Sequence, residues 1–371
     1  TAVGVQALLS NETANNNVAV GFQTLLDNQT GANNVAVGMQ ALENATSSFN
    51  VAVGSSAGQG ASAGFSGDAS VFVGYEAGEA LTSGSNNVFI GYQAAKAATT
   101  ASNSVALGRG ALTANTTGGQ NTALGRSALG ALDTASANVA VGYLAMNSET
   151  KGEQSVAVGW GALQNAQQSS SANAFNTAVG SQAGRFITSG TLNTLTGALA
   201  GDALTTGDSN TALGYGTLSS DTTGKTAVAV GYGALLSQNF TGATINANVG
   251  VGYNAGTSVT TGVENTLIGG FAGDALSDAD HNVAVGMHAL SADTLGSRST
   301  AVGYYALKQQ NFTSATNAYN VAVGFYAGLN ITTGTQNTFI GSLAGDALTD
   351  ADFNVAVGTG ALSAETQGSK S

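Results

Sequence analysis

The sequence predicts an all-β fold, a parallel β-solenoid (β-roll or β-helix) of about 21 coils with 17-residue and occasional 21-residue repeats. Three observations predict it. A glycine recurs 21 times between Gly4 and Gly358, mostly 17 residues apart, with single steps of 16 and 20 and three steps of 21. Three residues before that glycine every copy has Val or Thr, and one residue before it every copy but Thr196 has Val, Ile or Leu. Four residues before it, Asn fills 15 of 20 positions, the signature of a side chain with the same job in each coil.

Each element follows from its column. β-Branched residues flanking a mostly Ala position, sometimes Phe or Leu as in Phe72, Phe89, Leu267 and Phe339, make a strand of about four residues. The glycine ends the strand where the chain turns a corner. Ala then stands three residues past the glycine in all copies but two, Thr24 and Thr217, followed mostly by Leu or Gly. A loop rich in Thr, Ser, Asn, Asp and Gly closes the coil. "AGDALSDAD" and "GALQNAQQS" could each hold a turn of helix, but Gly and β-branched residues interrupt every candidate stretch before ten residues, so all-β is expected. The Asn column predicts a ladder of side-chain amides along the stack. The four-residue inserts, as in 235–247 and 307–319, are expected to bulge outward, which would make changes in 311–317 silent.

The 21-residue steps begin at Gly159, Gly231 and Gly303, 72 residues apart, so a four-unit block lies above the single repeat. Residues 1–371 read as one continuous solenoid segment with super-repeats at about 176–247, 248–319 and, incomplete, 320–371. Neither end carries a polar capping coil, and the native polypeptide is expected to continue in both directions.

The strand is apolar on both faces, the Val/Thr and Val/Ile/Leu columns on one side and the Ala column on the other. A 17-residue coil encloses one thin core, so the second face is expected to meet copies of the chain. Small Ala residues suit close approach to a symmetry axis, and a homotrimer is the expected assembly. On that reading Ala301→Glu or Ala322→Glu dissociates or unfolds the fibre. A wider monomeric coil that encloses both faces is the alternative.

Composition narrows the partners. Charged residues are 8% of the chain, against roughly 25% in ordinary soluble domains. A net charge of −12 argues against nucleic acid and anionic lipid as partners. The absence of Cys removes disulfides, thiolate metal sites and cysteine nucleophiles, and no apolar run approaches the ~18 residues of a membrane span.

The repeats "NTALGRSALGALDTASA" (121–137) and "NVFIGYQAAKAATTASN" (87–103) resemble those of bacteriophage tail fibres and the head repeats of YadA-like trimeric adhesins, over essentially the whole chain. The YadA-like unit is shorter, near 14 residues, so coil shape and handedness are not carried over. The resemblance implies a non-enzymatic, extracellular, structural fibre segment, a rigid shaft on a virion or cell surface that contributes to host attachment. The alternative is a bacterial adhesin head that binds host matrix or glycan, its receptor a cell-surface glycan or protein.

No catalytic residue stands out. His281 and His288, the two histidines, lack ligand spacing, and every Ser and Asp lies in a repeat column or loop. "GRG" at 108–110 is a product of the repeat, with no phosphate-binding Lys-Ser/Thr after it. The acidic loops 273–282 and 345–354 offer candidate Ca²⁺ ligands, Asp274, Asp278, Asp280, Asp346, Asp350 and Asp352, the competing reading being solvated Asx turns. A related loop at 201–210 keeps only Asp202 and Asp208. Trp160, Tyr304, Tyr305, Phe325 and Tyr326 are candidates for an exposed strip that stacks on sugar rings.

Overall fold

In the computed structural model each repeat is one coil of a parallel β-solenoid, and no helix occurs among the described residues. The structure describes residues 1–62, 64–169 and 172–369, and of Ala172 the backbone only. The chain forms two compact units, Thr1–Ser189 with eleven principal strands and Gly190–Ser371 with ten. The strands are three residues long in nearly every coil, as at Val18–Val20 or Val321–Val323. Each pairs in parallel and without slippage, Val18 on Val35, Ala19 on Ala36 and Val20 on Val37. Identical columns therefore stack, and this is what a strict sequence period buys in side-chain register.

The recurring glycine has two reasons to be glycine. Its φ lies between 122° and 144°, a region L side chains avoid. A Cβ at Gly303 would also land on the backbone carbonyl of Gly324 in the next coil. Past this corner the backbone alternates handedness. Tyr305 (φ 59°) and Leu307 (φ 48°) are left-handed, a costly conformation that inter-coil bonds offset: Tyr305 N–H donates to Met287 O (3.1 Å) and Leu307 N–H to Ala327 O (3.0 Å).

The structure corrects the assignment of faces. Past the first coil the Ala column, Ala301 and Ala322 included, is buried inside its own coil, mostly together with the Ala and Leu columns past the corner. The flanking Val, Thr, Ile and Leu side chains point outward, Val323 at 38% and Ile340 at 42% exposure. The reason is space: the interior is a thin slot between strand and turn, and it accommodates the smaller column.

That slot shows volume compensation. Where the inward strand residue is large, the position four past the corner glycine is Gly, in the same coil, the preceding one or both. A Cβ on Gly78 would sit 2.7 Å from Phe72 and 3.1 Å from Phe89; on Gly273, 2.7 Å from Leu267; on Gly345, 2.5 Å from Phe339. Coils whose own inward residue and the next coil's are both small carry Leu or Met there instead, as Ala301 and Ala322 with Leu307.

The Asn ladder forms, chiefly as amide-to-backbone bonds. Asn17 Oδ1 accepts from Asn34 N–H (2.8 Å), and Asn17 Nδ2 donates to Gly31 O (2.8 Å). Direct amide–amide bonds supplement this in places, as from Asn337 Nδ2 to Asn320 Oδ1 (3.2 Å). Each such bond contributes about 1 kcal/mol and gives a buried backbone donor or acceptor a partner. Ser in the column keeps the acceptor, since Ser104 Oγ receives Asn121 N–H (3.3 Å).

The inserts leave the rungs in register, Thr300 on Val321, but they do not simply bulge. Phe312 is 5% exposed, so the expectation that 311–317 is silent is corrected: Phe312→Ala empties a packed site. A buried acid anchors each long coil from the coil before it. Asp293 Oδ1 accepts Gly296 N–H (3.0 Å) and Phe312 N–H (3.1 Å), and its Oδ2 accepts Gln310 Nε2 (2.6 Å). Asp221 repeats the pattern with Gly224, Phe240 and Gln238. Glu149 Oε1 accepts Gly152 N–H (2.7 Å) and Gln168 N–H (3.1 Å). Asp293→Asn is expected to destabilise the second unit by about 1–3 kcal/mol, because an amide NH2 then faces a donor. Urea unfolding measures it, and a neutral result refutes the anchoring role.

Candidate functional site

The corner glycine sends its next two side chains outward, so residues one and two past it form surface columns. In the second unit these columns are aromatic. Tyr215, Tyr232 and Tyr253 stack at 5.3 Å with 14° between planes. Phe271, His288 and Tyr305 stack at 4.8 and 5.2 Å, and Tyr304 lies on Phe325 at 5.6 Å. The coil spacing of about 4.8 Å is close to a ring-stacking distance, so in the stacked pairs each ring covers its neighbour's face and presents an edge. The rings of Tyr304, Tyr305, Phe325 and Tyr326 do come together, but they pack on one another, Tyr304 face to face with Phe325 and edge-on to Tyr305, and Phe325 tilted against Tyr326; Trp160 belongs to the first unit. The hydrogen bond with Tyr305 pushes the Tyr304 hydroxyl up to about 12.

The acidic loops arrange their carboxylates along the stack. Asp278 Oδ1 accepts Thr261 Oγ1 (2.6 Å), and Asp280 Oδ1 accepts Val263 N–H (2.8 Å). In the later copy Asp352 Oδ1 accepts Thr335 N–H (2.7 Å) and Asp350 Oδ1 accepts Thr349 Oγ1 (3.3 Å). Asp274 and Asp346 each hold a buried Oδ1 without a hydrogen-bond partner, and burial raises the Asp274 carboxyl. Among the described residues no three His, Cys, Asp or Glu side chains gather as a metal-holding group, so the structure does not bring these candidates together. His281 pairs with Glu264 at 3.2 Å, and His288 sits in the ring stack.

The first unit has a different column. Past its corners come Tyr75, Tyr92, Arg109, Arg126, Tyr143 and Trp160. Tyr75 and Tyr92 stack at 5.4 Å, Arg109 lies 5.5 Å from the Tyr92 ring centre, and Arg126 lies 5.5 Å from that of Tyr143. Beside them opens a cavity of about 430 Å³ lined by Tyr92, Arg109, Thr113, Arg126, Ser127 and Asn147. Sequence reading passed over it, since 17-residue spacing hides two neighbours as distant letters; reading the column downward would have exposed them. At the edge of this surface Lys96 pairs with Glu76 (2.5 Å) and Glu79 (3.3 Å).

Bonds from Lys96, Tyr75 and Gln93 lower the Glu76 carboxyl from 4.5 to about 2. Its folded value lies below the unfolded one, so its contribution is present above the ordinary carboxylate range and fades as pH falls toward 2. A carbon-detected titration of Glu76 is expected to show that low midpoint; an ordinary one refutes the network.

No family model and no curated protein matches this chain.

Proposed function

We propose that this chain is a non-enzymatic, structural segment of an extracellular fibre, of the tail-fibre or adhesin-head kind, that assembles with copies of itself, most simply as a homotrimer. The observation that carries the reading is the outward Val/Thr and Val/Ile/Leu face. Within each unit, coil after coil adds two uncharged, mostly apolar side chains to a stripe, a surface far beyond the scattered apolar residues of a monomer. No charged residue occurs in either column, so a net charge of −12 does not repel copies at this face. The rigid one-coil-per-rung ladder, in which backbone, Asn column and core repeat together, suits a load-bearing or spacing role. Among the described residues no helix is long and apolar enough to cross a membrane.

Sedimentation equilibrium of the intact chain tests assembly. An oligomer is expected, three copies in the simplest case, and Val323→Glu with Ile340→Glu is expected to yield folded monomers. A stable monomer for the unmodified chain refutes the reading. The adhesin alternative draws support from the arginine-lined cavity, since a pure spacer needs none.

A further inference from the structure

We propose that Arg109 and Arg126 form the anion subsite of a binding site for an acidic saccharide, whose carboxylate or sulfate the two guanidiniums hold while neighbouring polar groups read its hydroxyls. The chain has nine Lys and Arg residues in 371, yet two of them stand in adjacent coils at the mouth of one cavity. Among the described residues neither makes an ion pair with a carboxylate, whereas Lys96 and Lys225 do. Each guanidinium is instead braced on a tyrosine, Arg109 on Tyr92 and Arg126 on Tyr143. Two like charges side by side repel, and an anion between them relieves that cost and accepts several of their N–H donors at once.

The rest of the lining fits a hydroxylated ligand. The Ser127 hydroxyl and the Asn147 side-chain amide bond to no other described residue, and together they offer both donors and acceptors to the cavity. Gly130 keeps the amide accessible, because a Cβ there would lie 2.8 Å from Asn147 Oδ1. A volume of about 430 Å³ falls within the roughly 300–1,000 Å³ that accommodates small ligands. Tyr92 has Tyr75 on one face and Arg109 on the other, so recognition runs through hydrogen bonds and charge rather than ring stacking.

The same observations disfavour other polyanions. Nucleic acid needs an extended row of cations, and here two arginines stand in a chain of net charge −12. A sugar with one acidic group per residue or two asks for what is present.

Calorimetry on the intact chain tests this, with trigalacturonate, its carboxyl-reduced neutral counterpart, inorganic sulfate and phosphatidylglycerol vesicles as probes. Trigalacturonate is expected to bind, the neutral sugar at least about tenfold more weakly, and Arg109→Gln and Arg126→Gln each to lose about tenfold. Both arginines are exposed, so the variants are expected to fold, and circular dichroism checks that they do. Arg298→Gln, an arginine braced on Tyr319 in the second unit, is expected to change nothing. The proposal is overturned by absent binding at about 10 mM trigalacturonate, by equal binding of the neutral sugar, or by unchanged affinity in the Arg109→Gln/Arg126→Gln double variant. Sulfate or vesicles binding more tightly than the sugar, in a manner the double variant abolishes, overturns it too. Assembly is measured separately, so failure here leaves the fibre reading standing.

Discussion

Ala322→Glu is expected to unfold the coils around it, while Val323→Glu, one residue further along the same strand, leaves them folded. The two side chains differ only in direction. Ala322 is fully buried, stacked in register between Ala301 and Phe339. A glutamate there places a carboxylate in a slot lined by Ala, Leu and Phe side chains, at a cost of several kcal/mol. That is comparable with the roughly 5–15 kcal/mol that holds an entire domain. Because each coil depends on its neighbours, the loss is expected to spread to adjacent rungs and to appear as lost hydrogen-exchange protection on both sides of the strand. Val323 at 38% exposure keeps its glutamate in water, so its effect falls on assembly. A folded Ala322→Glu beside an unfolded Val323→Glu would falsify the assignment of faces.

That assignment is also where sequence reading stopped. The strand, its corner and its register were legible, because a column of Val or Thr before an invariant glycine has one physical meaning. Which face turns inward was not, because alternation reveals burial only when one side is polar, and here both Ala322 and Val323 are apolar. The coupling that decides it is legible only in three dimensions: Gly78 answers Phe72, and Gly273 answers Leu267, across a slot whose width no periodicity states. The buried acids were readable in principle, since Glu149, Asp221 and Asp293 each stand ten residues before the glycine that opens a long coil. The acidic loops misled in the opposite direction. Asp274, Asp278 and Asp280 are close in sequence, but in a solenoid coil Asp278 and Asp280 find their partners in Thr261 and Val263 of the preceding coil. Proximity here runs along columns, and Arg109 with Arg126 is the same lesson on the surface.

Phe339→Ala is expected to cost about 3–5 kcal/mol, and Gly345→Leu to restore part of it, although Gly345→Leu alone is harmful. The Phe339 ring fills the slot that Gly328 and Gly345 leave open, and a Cβ on Gly345 would approach its ring carbons to 2.5 Å. Removing the ring leaves a cavity with no neighbour able to collapse into it, since the rungs above and below hold the backbone in register. Leucine at 345 meets no backbone objection. Gly345 has φ 61°, and Leu290 and Leu307 occupy the same column at φ 55° and 48°. With alanine at 339 the coil then has the composition that Ala301 and Leu307 already use. The double variant is therefore expected to be more stable than either single one, with a coupling energy of about 3 kcal/mol in a double-mutant cycle of urea unfolding. Additive losses would show that the glycine column answers only to backbone conformation. Recovery would show that the core of each coil is filled by a trade between two columns, one large residue for one absent side chain.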